Sequence, residues 1–170
     1  MMAQQQMEQA AARARAMQNA KLSFGPVMER LLPIRDDIAW TDLLDLDTGV
    51  PIRLLNFPDQ THAGLAINYS WEYNIAGVSG MNGVVVESAN ADQWDGITDL
   101  QALARLRANS PSHGVLTGPS TEQADKFLPL SYLFKSAAGN IGILQITGFT
   151  KNPRGVQIRY KLLQNGNGKN

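Results

Sequence analysis

The chain contains no cysteine and only two histidines among its 170 residues. The lack of cysteine excludes disulfides, thiol catalysis and cysteine-ligated metal sites. No run of about 18 apolar residues is present, so no segment is predicted to span a membrane, and the N-terminus lacks the apolar core of a signal peptide. Fifteen basic residues balance fifteen acidic ones. Since nucleic-acid binding needs a local excess of positive charge, we expect no nucleic-acid partner.

What is present is typical of a globular protein: 44% of the residues are hydrophobic and 18% are charged. The length suits one domain with a substantial core. Residues 1–21 are rich in Ala, Gln and Met and predict a helix or stalk, although a frayed tail is an equal alternative. Residues 22–164 are predicted to form the single domain, and the Gly-Asn repeat of residues 165–170 predicts a flexible tail.

Local signals place several elements within this domain. Two apolar runs flank the turn residues Asp47, Thr48 and Gly49, which predicts a hairpin. Frequent glycines make residues 56–82 loop-rich, although the alternation of Tyr69, Trp71 and Tyr73 within them suits a strand. Residues 83–88 predict a short buried strand. Residues 98–109 have apolar side chains at helical spacing and predict the main internal helix.

The most strongly patterned stretch, residues 130–164, predicts a meander of three antiparallel strands. If the first turn has a two-residue loop, even-numbered residues of the first strand share a face with odd-numbered residues of the second. The predicted core face then consists of Leu130, Tyr132, Phe134, Ile141, Ile143, Gln145, Thr147, Phe149, Val156, Ile158, Tyr160 and Leu162. The opposite face consists of Leu133, Lys135, Leu144, Ile146, Gln157, Arg159 and Lys161. Because this second face is half apolar, we expect the helix at 98–109 to cover part of it.

Together these signals predict an α+β fold: a mainly antiparallel sheet with a C-terminal three-stranded meander, one main internal helix and an N-terminal helix.

The blocks YLFK, GILQITGFT, NPRGV and IRYKLLQ, with FGPVMER and LLDLDTG upstream, resemble a C-terminal module of bacterial proteins of the Planctomycetes and Verrucomicrobia type. In that setting the module often accompanies BlaR-like membrane-embedded peptidases. The resemblance implies a sensor or accessory domain that lies outside the cytoplasm; without it, a cytoplasmic location is the expectation. The HExxH zinc motif of such peptidases does not occur in this chain, so the resemblance implies no catalytic residue.

The sharpest catalytic pattern is the Asp-Thr-Gly triplet at Asp47, since aspartic proteases pair two such aspartates around one shared proton. One copy per chain would require a homodimer, and a hairpin turn accounts for the same residues. No metal-ligand spacing or phosphate-binding loop occurs either. We therefore expect no catalytic residues, no metal and no cofactor.

Basic residues in the meander form the candidate ligand or partner surface: Lys135, Arg154, Arg159 and Lys161. On a neutral protein such a patch can bind an anion or an acidic partner, although it also serves simply to keep a sheet face soluble. The sequence therefore predicts a non-enzymatic sensor, accessory or protein-interaction module of a bacterial membrane-associated or regulatory system, with a protein partner or self-association. The alternatives are a structural subunit that oligomerises through residues 1–21 and a dimeric aspartic protease that uses Asp47.

Overall fold

In the computed structural model of this chain, the described residues are 24–35, 40–53, 63–70, 75–97, 100–108, 116–117 and 126–164. The predicted N-terminal helix and the predicted C-terminal tail lie outside these ranges. Residues 54–62, and residues 109–125 apart from 116–117, also lie outside these ranges.

Strands dominate the described residues, with 58% in strands and 11% in helical conformation. In chain order the strands are β1 (Met28–Arg35), β2 (Trp40–Thr41), β3 (Leu43–Leu44), β4 (Pro51–Ile52), β5 (Gly64–Ser70), β6 (Ile75–Met81), β7 (Val85–Ala89), β8 (Leu116–Thr117), β9 (Leu130–Lys135), β10 (Ile141–Lys151) and β11 (Arg154–Leu162). A 3₁₀ helix spans Ala91–Trp94, and the α-helix α1 spans Leu100–Arg107.

The predicted α+β fold is wrong, because the structure is mainly β: a curled antiparallel half-barrel. Helix α1 has only eight residues and is too short to form the helical layer of an α+β fold. Part of the error lies in residues 56–82, which were predicted to be loop-rich from their glycines. In the structure β5 and β6 pair along their whole length there, since cross-strand packing overrides a weak strand propensity.

The curvature of the sheet brings its two ends together. The pairings give the order β8-β6-β5-β2-β1-β11-β10-β9-β7, and β3 with β4 forms a hairpin beside β5. Strands β6 and β7 stand near opposite ends of this order, yet only a tight turn at Asn82 and Gly83 joins them. Both turn residues have positive φ, 52° and 94°, as a tight turn of the primed type requires. The sheet must therefore curl for the chain to pass from one end to the other.

The predicted meander is present, but its first loop is longer than the assumed two residues. Residues 136–140 form the loop, so Ile141 pairs with Lys135 and Leu144 pairs with Tyr132. Even-numbered residues of β9 therefore share a face with even-numbered residues of β10, which corrects the predicted assignment of β10. A β-bulge between Ile146 and Gly148 then reverses the alternation, and Phe149 returns to the core side.

The main core fills the concave side of the curled sheet. Phe134 and Tyr160 are fully buried, and their rings meet edge to face with centroids 6.2 Å apart. The other buried members are Leu32, Ile34, Leu44, Leu46, Leu65, Ile67, Val78, Val84, Val86, Tyr132, Leu144, Ile146, Val156 and Ile158. Contacts from both ends of the sheet in one cluster make the half-barrel a single unit.

The convex side of β9 and β10 has a smaller apolar cluster beneath α1. Leu103 and Leu106 of the helix pack against Leu133 and Ile143 of the sheet. This short helix is thus the cover that the half-apolar face of the meander was predicted to need. On the same side of the sheet, Trp94 of the 3₁₀ helix lies over Arg159 and Lys161 of β11.

Buried Tyr132 makes stability depend on pH in the alkaline range. Burial raises the pKa of Tyr132 to about 12 from an ordinary value of 10.0. Above about pH 10 the unfolded chain loses the phenol proton while the folded chain keeps it, so stability falls as the pH rises towards 12. We expect the Tyr132 contribution to this loss to be about 2–3 kcal/mol.

Urea unfolding of the wild type and of Tyr132→Phe at a series of pH values between about 8 and 12 measures this contribution. The wild type should lose stability more steeply, so the difference in stability should shift in favour of Tyr132→Phe by about 2–3 kcal/mol as the pH rises. Because the pKa of Tyr160 is also raised by burial, the variant should retain some decline. Parallel curves for the two proteins would contradict the expectation.

Candidate functional site

A row of hydrogen-bonded polar side chains crosses the convex face of the meander. Ser131, Gln145 and Arg159 are cross-strand neighbours on β9, β10 and β11, and both Ser131 and Gln145 are buried. The Gln145 amide donates to Ser131 Oγ at 2.9 Å. Its oxygen accepts two hydrogen bonds from Arg159, from Nε at 2.9 Å and from Nη2 at 2.7 Å. The guanidinium is therefore held by a neutral acceptor, which leaves its positive charge in place.

Two aromatic rings lie against the basic residues at one end of this row. The Trp94 ring centroid is 4.3 Å from Arg159 Cζ and 4.4 Å from Lys161 Nζ. On the other side, the Phe24 ring centroid is 4.3 Å from the same Lys161 Nζ. These distances are well within the range of cation–π attraction. We call Phe24, Trp94, Arg159 and Lys161 the Trp94 cluster.

The two cations of the Trp94 cluster differ in their access to solvent. Lys161 is only 8% exposed, and burial lowers the pKa of its ammonium below the ordinary value. The Asp95 carboxylate acts in the opposite direction, and nearby Arg159 lowers the pKa further. Arg159 is only half-buried, so it is more exposed than Lys161. Arg159 is therefore the cation that a ligand can reach.

The structure divides the four predicted surface residues into two groups. Arg159 and Lys161 meet in the Trp94 cluster, as their alternation on one strand requires. Lys135 is the last residue of β9, and its register partners are Ile141 of β10 and Val85 of β7. Strand β9 is two strands away from β11 in the sheet. Arg154 begins β11 and lies roughly 17 Å along the strand from Arg159. Only the first two residues therefore belong to a common site.

A groove of about 360 Å³ lies on the convex face beside Arg159. Its lining consists of Glu29, Arg30, Leu31, Thr147, Gln157 and Ile158. The groove lies at the β10 bulge, where Thr147 has no register partner on β11. The Thr147 hydroxyl nevertheless donates a hydrogen bond to the Gln157 carbonyl oxygen at 3.3 Å. Leu31 is 41% exposed there. The groove is thus mainly polar, and Leu31 is the exposed apolar side chain in its lining.

The Asp-Thr-Gly triplet forms the predicted hairpin loop between β3 and β4. The Asp45 carboxylate accepts hydrogen bonds from the backbone N–H groups of Asp47 at 2.9 Å and Thr48 at 3.3 Å. Gly49 has a positive φ of 72°, which glycine adopts without strain. The Asp47 carboxylate accepts a hydrogen bond at 2.8 Å from the side-chain amide of Asn140. The loop is therefore fastened to the β9–β10 connection.

Hydrogen bonds within this loop affect the pKa of Asp45. Burial alone would raise the pKa of Asp45, but hydrogen bonds from the Thr48 side chain and from the backbone N–H groups of Asp47 and Thr48 outweigh it. The net effect holds the Asp45 pKa below its ordinary value. A shared proton, as in an aspartic protease, requires a second carboxylate from another copy. The dimeric protease therefore stays a prediction.

In the part of the chain that the structure describes, no group of three or more His, Asp or Glu side chains could hold a metal ion. No helix of these residues is both long and apolar enough for a membrane span. The two histidines, His62 and His113, lie outside the described residues.

Sequence reasoning missed the residues that support Arg159. The incorrect loop length placed Gln145 on the core face, away from Arg159, and nothing near Trp94 in sequence pointed to β11. One available signal was the presence of Ser131 and Gln145 in otherwise apolar strands, since buried polar side chains need partners.

No known protein family matches the chain, and neither a curated protein nor a solved structure shows significant similarity to it. The resemblance noted in the sequence therefore remains a prediction.

Proposed function

We propose that this chain is a non-enzymatic interaction module that binds a carboxylate of a protein partner through Arg159. The observation that carries the proposal is the pairing of a half-buried arginine with the neutral oxygen of Gln145, at 2.9 Å and 2.7 Å. No carboxylate of the described residues forms an ion pair with this guanidinium. Its charge is thus available to an acidic ligand, and a guanidinium matches a carboxylate better than an ammonium does.

The supports of Arg159 favour binding because they fix the side chain before a ligand arrives. Gln145 orients the guanidinium, Ser131 orients Gln145, and the Trp94 ring packs against the guanidinium plane. A mobile arginine side chain on a protein surface loses conformational entropy when it binds a ligand. A side chain that is already fixed loses less. Such support around a binding side chain is typical of functional sites.

The proposed role fits a sensor or accessory protein of a bacterial membrane-associated or regulatory system, which the sequence resemblance implies. Its support here is an arginine that is held by Gln145 and forms no ion pair with a carboxylate of the described residues, in a chain with no net charge. Binding by such a protein relies on local contacts rather than on a strong overall field.

Replacing Arg159 with glutamine tests the proposal. A short peptide of alternating glutamate and serine is the probe, and its lysine–serine counterpart is the charge control. Loss of a charge-assisted hydrogen bond should weaken binding of the acidic peptide about tenfold or more. Isothermal titration calorimetry measures the affinity, and thermal unfolding checks that the variant is folded.

Two further variants separate the site from overall charge. Arg53→Gln removes one positive charge at an exposed position and should leave the affinity unchanged. Gln145→Glu keeps Arg159 but gives it an internal carboxylate, so acidic peptide binding should fall as in Arg159→Gln. Equal weakening by Arg53→Gln and Arg159→Gln, or unchanged binding in Arg159→Gln, would overturn the proposal.

A further inference from the structure

The groove beside Arg159 arises from an irregularity in the middle of the sheet. The bulge in β10 leaves Thr147 outside the regular pairing, and the next residue, Gly148, has no side chain. A Cβ atom at Gly148 would lie only 2.6 Å from Oε1 of Gln157. Glycine therefore lets the Gln157 side chain lie flat across β10. Bulges and strand glycines often mark places where a ligand approaches the sheet.

The register places this groove one step from Arg159 along β11. Gln157 and Arg159 alternate on the same face of the strand, and their β1 partners are Leu31 and Glu29. Leu31 and Arg159 are therefore diagonal neighbours on two paired strands, and such neighbours lie roughly 7–8 Å apart. This is close to the spacing of roughly 7 Å between residues two apart in an extended chain.

We propose that the occupant of this groove is an extended segment of a protein partner that has an acidic and an aliphatic residue two positions apart. The acidic side chain binds Arg159, and the aliphatic side chain packs on Leu31 within the groove. A spacing of two is the shortest that places both side chains on the same face of an extended segment. The inference rests on the proposed function, because it takes Arg159 as the carboxylate site.

Three synthetic peptides of equal composition test the spacing. Each contains one glutamate and one leucine in a serine–threonine background, with the two residues adjacent, two apart or three apart. Fluorescence anisotropy should show the peptide with spacing of two binding about tenfold more tightly than the others, since only it buries the leucine. A fourth peptide, with a second glutamate in place of the leucine, should bind more weakly than the peptide with spacing of two.

Leu31→Gln is the matching change in the protein, and it should remove the preference for spacing of two. Val50→Gln changes an apolar residue that is 55% exposed outside the groove and should keep that preference. If Arg159→Gln abolishes binding but all three spacings bind equally, the groove inference is overturned and the carboxylate site stands. If Arg159→Gln has no effect on any peptide, the proposed function fails as well.

Discussion

Replacing Phe134 with alanine should lower the free energy of unfolding by about 3–5 kcal/mol. Phe134 is fully buried, its ring packs edge to face on Tyr160, and it also lies against Gly142 of the neighbouring strand. Removing the ring leaves a cavity that β9 and β10 cannot close without breaking their ladder. Because a domain of this kind is stable by only about 5–15 kcal/mol, the loss takes a large share of the total.

Urea unfolding followed by circular dichroism measures the effect of Phe134→Ala. Phe127→Ala is the matched control, because Phe127 is 55% exposed and its truncation should change stability by less than about 0.5 kcal/mol. If Phe134→Ala does not fold, Phe134→Leu gives the smaller loss that a partly filled site predicts. A loss for Phe134→Ala no greater than that of Phe127→Ala would contradict the assignment of Phe134 to the core.

Gly142→Ala is expected to have the second large effect, about 1–3 kcal/mol or more. A Cβ atom at Gly142 would lie 2.6 Å from the carbonyl oxygen of Lys161 and 2.8 Å from Cε1 of Phe134. The first contact is with backbone, which moves only if β11 shifts relative to β10. Chemical denaturation measures the loss, and Gly96→Ala is the control, because a Cβ atom at Gly96 has no atom within 4 Å.

A double-mutant cycle separates the two contacts of the new methyl group. Phe134→Leu removes the ring atoms nearest to Gly142, so Gly142→Ala should cost less in that background than in the wild type. The contact with the Lys161 carbonyl remains, and some loss should persist. Full additivity of the two changes would show that the ring does not limit the space at Gly142.

The hairpin at Asp47 and the meander were predictable because their signals are local. The Asp-Thr-Gly triplet marks a turn within a few residues, and the apolar strands of the meander are long. The faces of β10 were not predictable, because they depend on a five-residue loop and a bulge. Gly139 has a φ of 89° in that loop, and a glycine in the sequence does not reveal how many residues the loop contains.

The candidate site was predictable only in part, for a related reason. Arg159 and Lys161 alternate on one strand, so their common face could be derived from the sequence. Trp94 and Phe24 come from distant parts of the chain, and only the folded sheet brings them to β11. Within residues 64–81 the sequence indicated a strand only around Tyr69, because glycine has a low strand propensity. In the structure β5 and β6 pair with each other and so satisfy their backbone groups despite that propensity.

The pairing of β1 with β11 has a consequence for how the chain reaches its native state. These two strands lie side by side in the middle of the sheet, although β1 is the first of the described strands along the chain and β11 is the last. A nascent chain cannot complete the sheet until β11 has left the ribosome. Strand β1 therefore lacks its β11 partner until β11 has been synthesised. Contacts between such distant parts of a chain slow folding, typically to milliseconds or seconds in small β proteins. In that interval the edge of β1 is open to pairing with other chains, which makes chaperone protection most valuable before the last strand is made.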